Sequence, residues 1–223
     1  MSNYDFRILR YDSRGHGGTE ATEGDYTFPM LISDLMGLWD ALGIVQSHLV
    51  GLGLGGSTAL GAAIEHPNRL LSLVACCCRA DMPPEFAANW PGFIETVKAH
   101  GMEGMVEATV ERWFTDDFKA DHQEVLDSVR AQIRGTNPLG YYGCIGAFLT
   151  LSFGDRITRI SVPTLFLSGA DDQRGGPPAI MQGLADRVAG AKHVSVPNAG
   201  HIVNIQNPVE FNQELGAFLR AQL

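Results

Sequence analysis

The stretch HLVGLGLGGSTALG, residues 48–61, constrains this chain more than any other. An apolar run of strand character meets a small-residue run of helical character through Gly51-Leu52-Gly53-Leu54-Gly55-Gly56. Such a turn belongs to open α/β sheets, where a helix N-terminus stands at the carboxyl end of a strand. Two chemistries use it. Gly51, Gly53 and Gly56 satisfy G-x-G-x-x-G, the dinucleotide-binding fingerprint. Residues 51–55 also keep the spacing of G-x-S-x-G, the nucleophile elbow, with Gly53 where the serine belongs. The glycines alone leave both open.

The surrounding pattern extends the α/β rhythm. FRILRY (6–11) predicts a strand ending in the polar turn DSRGHGGTE, and the spacing of Ile32, Leu35, Met36, Leu38, Trp39 and Leu42 predicts a helix closed by Gly43. HLVGL (48–52) reads as a strand, residues 57–66 as a helix stopped near Pro67, and LLSLVAC (70–76) as the next strand. Asp81-Met82-Pro83-Pro84 breaks this alternation, and from Glu85 to about Phe153 the periodicity is mostly helical. Strand character returns in VPTLFLSG (162–169) and KHVSVP (192–197), with helices around 180–188 and 210–223. The expected architecture is a mostly parallel sheet flanked by helices, with a helical cap too long and too periodic to be a loop. The division predicted is core over 1–82, cap over 83–158 and core again over 159–223.

A net charge of −9 without a basic run argues against a nucleic-acid surface. No apolar stretch is long enough to span a bilayer, and MSNYDFRILRYD lacks an apolar signal region, so a cytoplasmic location is expected. Cys76, Cys77 and Cys78 read as small apolar residues of one buried strand. Their side chains would alternate between faces, so no shared metal site is expected, and with Cys144 they suit a reducing compartment.

Two later loops separate the readings of the glycines. A dinucleotide site needs an acid about twenty residues on, for which Asp81, or Arg79 for a 2′-phosphate, is the available residue. That reading leaves GADD (169–172) and NAGHIVN (198–204) unexplained. Each loop follows a strand, and together with the elbow they give the chain order nucleophile position, acid, histidine.

RYDSRGHGGT, HLVGLGLGG, SGADD and AGHIVNIQNPVEF resemble α/β-hydrolases from about Phe6 to the C-terminus. VERWFT (110–115) and GYYGC (140–144) resemble the cap of 3-oxoadipate enol-lactonases, enzymes of aromatic catabolism. The resemblance implies the α/β-hydrolase fold and hydrolysis of a carboxylated enol-lactone. Position by position, it makes Asp172 the triad acid, with Asp171 its competitor, and His201 the general base. The Leu54 N–H becomes an oxyanion donor, and Arg112 and Trp113 become candidates for the substrate's carboxylate and ring. His16, in RGHG, belongs to the turn after its strand, a structural role. A small acidic lactone or ester is the implied partner, with no cofactor, metal, nucleic acid or membrane.

Two departures qualify this. Gly53 supplies no hydroxyl, and neither Ser57, one helical turn on, nor Ser47, at the far end of the strand, starts from the right place. The opening strands and the H-G-type loop that carries the second oxyanion N–H have no counterpart. One missing strand would lie between the equivalents of FRILRY and HLVGL. FRILRY then pairs directly with HLVGL, another chain fills the gap, or Met1 is not the biological start; the last is the expectation. The functional expectation is a lactone or ester hydrolase impaired by the missing serine. The alternatives are an inactive small-ligand-binding protein and, more remotely, a dinucleotide-binding one.

Overall fold

The computed structural model describes residues 6–223. Helix α1 spans Phe28–Ala41. The Thr27 hydroxyl caps it by accepting the Met30 N–H, and Pro29 sits in its first turn, where no N–H is required. Phe28, Leu31, Ile32, Leu35, Met36 and Trp39 recur at helical spacing and are buried as one face. The helix starts four residues earlier than its apolar spacing suggested. Leu42, counted with that face, caps the end and is 54% exposed.

Strand β1 (Ser47–Leu52) turns through Gly53 into α2 (Leu54–Glu65). Residues 56–64 of α2 are all buried, and small residues allow it. A Cβ on Gly61 would fall 2.5 Å from Ile32 and 2.6 Å from Phe153, so the helix nests against α1 and the chain at Phe153. Strand β2 (Leu70–Cys76) is followed by six cap helices: α3 (Pro84–Ala87), α4 (Trp90–His100), α5 (Val106–Trp113), α6 (Asp116–Asp121), α7 (Gln123–Arg134) and α8 (Pro138–Leu149). The chain then forms β3 (Thr164–Gly169), α9 (Pro178–Ala185), β4 (Lys192–Val196), the short α10 (Val203–Gln206) and α11 (Pro208–Arg220).

The sheet order is β1-β2-β3-β4 and every pairing is parallel. All four carboxyl ends therefore open on one edge, the edge where ligands bind in open α/β sheets. One core joins α1, α2 and α9 to one face of the sheet, and Phe211 and Leu215 of α11 cover the other. The cap helices keep a separate core around Val97, Met105, Val110, Phe114 and Leu126. Among the described residues no helix is long and apolar enough to cross a membrane.

Two expectations are corrected. FRILRY carries no regular secondary structure and pairs with no strand among the described residues, and Ile8, Leu9 and Tyr11 are 53%, 46% and 41% exposed. Its apolar pattern suits a strand, but a strand needs a ladder partner, and β1 bonds only to β2 among the described residues. The Phe6 ring meets β1 edge-on at His48, with centroids 5.8 Å apart. Of the cysteine triplet, only Cys76 belongs to the strand. Cys77 adopts φ 44°, and the chain turns there, with all three thiols buried.

Candidate active site

Gly53 stands between β1 and α2 at φ 56° and ψ −116°, a conformation that L side chains rarely adopt. Its N–H donates to the Cys76 carbonyl, fixing the turn to the end of β2. Close approach dictates the neighbouring glycines: a Cβ on Gly51 would lie 2.1 Å from the Gly55 carbonyl oxygen. At Gly53 there is room. A Cβ built there meets only His201, 3.5 Å from Nε2 and 3.8 Å from Cε1. The Leu54 N–H opens α2, among the first-turn donors that a helix leaves without internal partners.

Asp172 lies beyond the end of β3 and is 2% exposed. Its Oδ1 accepts the N–H groups of Arg174 and Gly175, both at 2.9 Å, and its Oδ2 accepts that of Gly176 at 2.8 Å. The same Oδ2 stands 3.0 Å from His201 Nδ1. Burial pushes this carboxyl up. His201, together with the Arg174 and Gly176 N–H groups, pulls it down further, leaving Asp172 below the usual carboxylate value. The contact fixes the tautomer: Nδ1–H donates to the carboxylate and Nε2 faces Gly53 with its lone pair. Asp171 is exposed, so the histidine's partner is Asp172.

His201 is held from two further sides. Its N–H donates to the Trp113 carbonyl at 2.8 Å, and the two rings stand 6.2 Å apart. On the acid loop, a Cβ at Gly175 would lie 2.0 Å from His201 Cε1. The loop is tied to the end of β2 by Arg79, whose Nη2 donates to the Arg174 carbonyl at 2.9 Å while its guanidinium covers the Phe86 ring. Arg79 and the Asp172 loop thus reach the site from positions 95 residues apart.

Arg112 reaches the same neighbourhood from α5. Its guanidinium lies 4.7 Å above the Phe93 ring and donates to the Thr109 hydroxyl, with no carboxylate partner among the described residues. Burial lowers its pKa, Tyr141 opposes, and the like charge of Arg174 adds to the lowering. Phe93, Trp113, Tyr141 and Ile202 pack against the cap core around it, half-buried. The Trp90 indole N–H, whose ring neighbours Phe93, is buried with no acceptor among the described residues.

The other candidates resolve differently. Ser57 is fully buried and donates to the Arg79 carbonyl, which leaves it no catalytic geometry. His16 sits with Nδ1 3.2 Å from the Arg14 carbonyl, in a turn that the Arg14–Asp34 pair fastens. Asp81, the acid needed by the dinucleotide reading, accepts the Gly154 N–H. Two Ser–His contacts, His48–Ser72 and Ser168–His193, lie within the sheet, with both serines fully buried.

Cys77 was missed as a neighbour of the dyad. Its thiol lies within 4.8 Å of ligand atoms of Asp172 and His201. Burial first, then the Asp172 charge, drives the thiol pKa well above its usual value, so it stays protonated at neutral pH and is no replacement nucleophile. Its place one residue past the end of β2, where such sheets gather functional groups, was the available signal.

Comparison with known proteins agrees with this fold. The chain is 28% identical over 221 residues to 3-oxoadipate enol-lactonase 1 of Acinetobacter baylyi, covering 97% of this chain and 79% of the relative. The crystal structure of the enol-lactonase from Burkholderia xenovorans LB400 superposes with a TM-score of 0.91 at 34% identity, covering 96% and 81%. A malate-bound thermophilic esterase from Thermogutta terrifontis superposes with a TM-score of 0.88 at 28% identity, covering 95% and 78%. The family described as the alpha/beta hydrolase fold matches residues 2–208. With its parallel sheet and an aspartate–histidine pair at the carboxyl edge, the chain belongs to the alpha/beta hydrolase fold family.

Proposed function

We propose that this protein hydrolyses a small carboxylated lactone or ester of the enol-lactone type, slowly and without a covalent intermediate. The observation that carries the reading is the position of His201 Nε2, oriented by Asp172 and facing open room at Gly53. A water there is the nucleophile. Its oxygen bonds to the lactone carbonyl carbon as its proton passes to Nε2, and Asp172 stabilises the imidazolium. The Leu54 N–H donates to the developing oxyanion at the positive end of α2. Collapse breaks the ring C–O bond, and His201 returns the proton to the leaving enol oxygen, which tautomerises to a ketone. The guanidinium of Arg112, lacking an acid of its own, takes the substrate carboxylate.

Removing a triad's serine alone costs on the order of 10⁶ in kcat, so the expected turnover is far below that of an intact triad. The test is loss of 3-oxoadipate enol-lactone, followed by ultraviolet absorbance for the purified chain and for His201→Ala. A rate above buffer that vanishes in the variant supports the mechanism. An acyl-enzyme trapped on the unaltered chain refutes it. Equal, buffer-level rates in both proteins refute turnover and leave the alternative of an inactive protein that binds a small acidic ligand.

A further inference from the structure

AGHIVNIQNPVEF contains a side chain that the proposed chemistry does not use. Gln206 closes the short helix α10, five residues after His201, and its amide reaches across to the cap. Its Oε1 accepts the Gly200 N–H at 2.9 Å and the Thr115 N–H at 3.4 Å. Two backbone donors at one atom settle which end is the oxygen, so Nε2 is the end that donates to the Thr115 hydroxyl. One amide therefore joins the residue before the histidine to the residue two beyond Trp113.

A second set of bonds runs beside it. The His201 N–H donates to the Trp113 carbonyl at 2.8 Å. Gly200 permits this approach, since a Cβ there would lie 2.6 Å from the Trp113 oxygen and 3.3 Å from Gln206 Oε1. The histidine loop is thus fastened to the carboxyl end of α5, the helix that carries Arg112. A flexible loop on its own would leave the imidazole free to sample geometries that do not face Gly53.

We infer that Gln206 is a positioning residue that fastens His201 to the cap, so that the base and the helix bearing Arg112 hold one fixed relation. Its consequence for substrate rests on the proposed function: a carboxylate seated at Arg112 then meets a base already registered to it. The placement itself needs no turnover to be tested.

Amide hydrogen exchange by NMR on the full chain reads the staple from both ends. In Gln206→Leu the Gly200, His201 and Thr115 amides lose protection by tenfold or more relative to those of Arg174 and Gly176, which Asp172 holds independently. The Nδ1–H signal of His201 broadens in parallel. In Gln206→Glu the carboxylate accepts the same two N–H groups and the Thr115 hydroxyl donates to it, so protection returns. Unchanged exchange at these three amides in Gln206→Leu overturns the inference, as does a uniform loss across the chain that merely tracks global stability. If Gln206→Leu does not fold, Thr115→Val severs only the hydroxyl contact. A shift of the His201 ring signal in that variant supports the staple, and an unmoved ring overturns it. A chain with no hydrolytic rate leaves the outcome of this test intact, so the two readings fail separately.

Discussion

Gly53→Ser should turn this chain into a covalent hydrolase. The Cβ position lies 3.5 Å from His201 Nε2 with nothing else within 4 Å, and a hydroxyl about 1.4 Å beyond it comes into hydrogen-bond reach of the imidazole. The backbone already holds the required turn, at φ 56° and ψ −116°. A side chain in such a conformation costs roughly 1–3 kcal/mol, a fall in Tm of about 2–12 °C for a chain of this size. Against that, the serine recovers up to about 10⁶ in kcat. The single identified oxyanion donor, Leu54 N–H, reduces the gain by roughly 10²–10³. The net expectation is an increase of about 10³–10⁴ over the unaltered chain on 3-oxoadipate enol-lactone. Intact-mass measurement after rapid quenching should show an acyl adduct on the variant, and His201→Ala in the same background should abolish both signals. A folded variant with the expected loss of Tm but neither acyl adduct nor rate gain would refute the placement of His201 as its base.

Three further outcomes follow from the same geometry. Arg112→Gln should raise KM for a carboxylated lactone by roughly 10- to 150-fold, the worth of a charge-assisted hydrogen bond, and leave an uncharged ester unaffected; equal effects on both would remove Arg112 from carboxylate recognition. The lowered pKa of Asp172 means its ionised form stabilises the fold fully above its unfolded value of about 3.9, and that this contribution is lost as pH falls through the lower folded value. Urea unfolding across that acid range should therefore be less pH-dependent in Asp172→Asn, and an unchanged slope would contradict the shift. Cys76 and Cys144 have thiol pKa values pushed up to about 12 by burial, and Cys77 and Cys78 are likewise buried and raised, so dithionitrobenzoate should label the native protein only as fast as it opens. A thiol that reacts at once under native conditions would show that one of them is exposed.

What the sequence made legible is what local chemistry decides. The four strands of the sheet are short apolar runs bounded by turn residues, and LLSLVAC matches β2 residue for residue. Asp172 and His201 were accessible because each lies in a loop after a strand, and parallel strands deliver such loops to one edge. FRILRY failed for the complementary reason. Its apolar pattern is local, whereas pairing depends on a neighbour that local pattern does not supply. The contacts of Arg79 with Arg174, 95 residues away, and of Gln206 with Thr115, 91 residues away, have no local signature at all. They arise from loops meeting over the sheet edge. Cys77 had only its position one residue past the end of β2 as a local signal.

The persistence of the dyad without a serine has a physical basis in how little it depends on Gly53. Asp172 is fixed by three N–H groups of its own loop, and two of them, those of Arg174 and Gly176, add to His201 in holding its pKa down. His201 is fixed by the Trp113 carbonyl and by the close approach of Gly175 and Gly200. None of these contacts touches residue 53, whose nearest side-chain neighbour is the imidazole itself. A serine hydroxyl would add one hydrogen bond to Nε2, worth about 1 kcal/mol, to an arrangement already over-determined. Its absence removes the nucleophile and relieves the strain of a side chain at positive φ, while the base stays oriented. On the proposed function, that asymmetry makes Gly53→Ser the decisive substitution: the Asp172–His201 pair needs no repair, and one hydroxymethyl group separates the two chemistries.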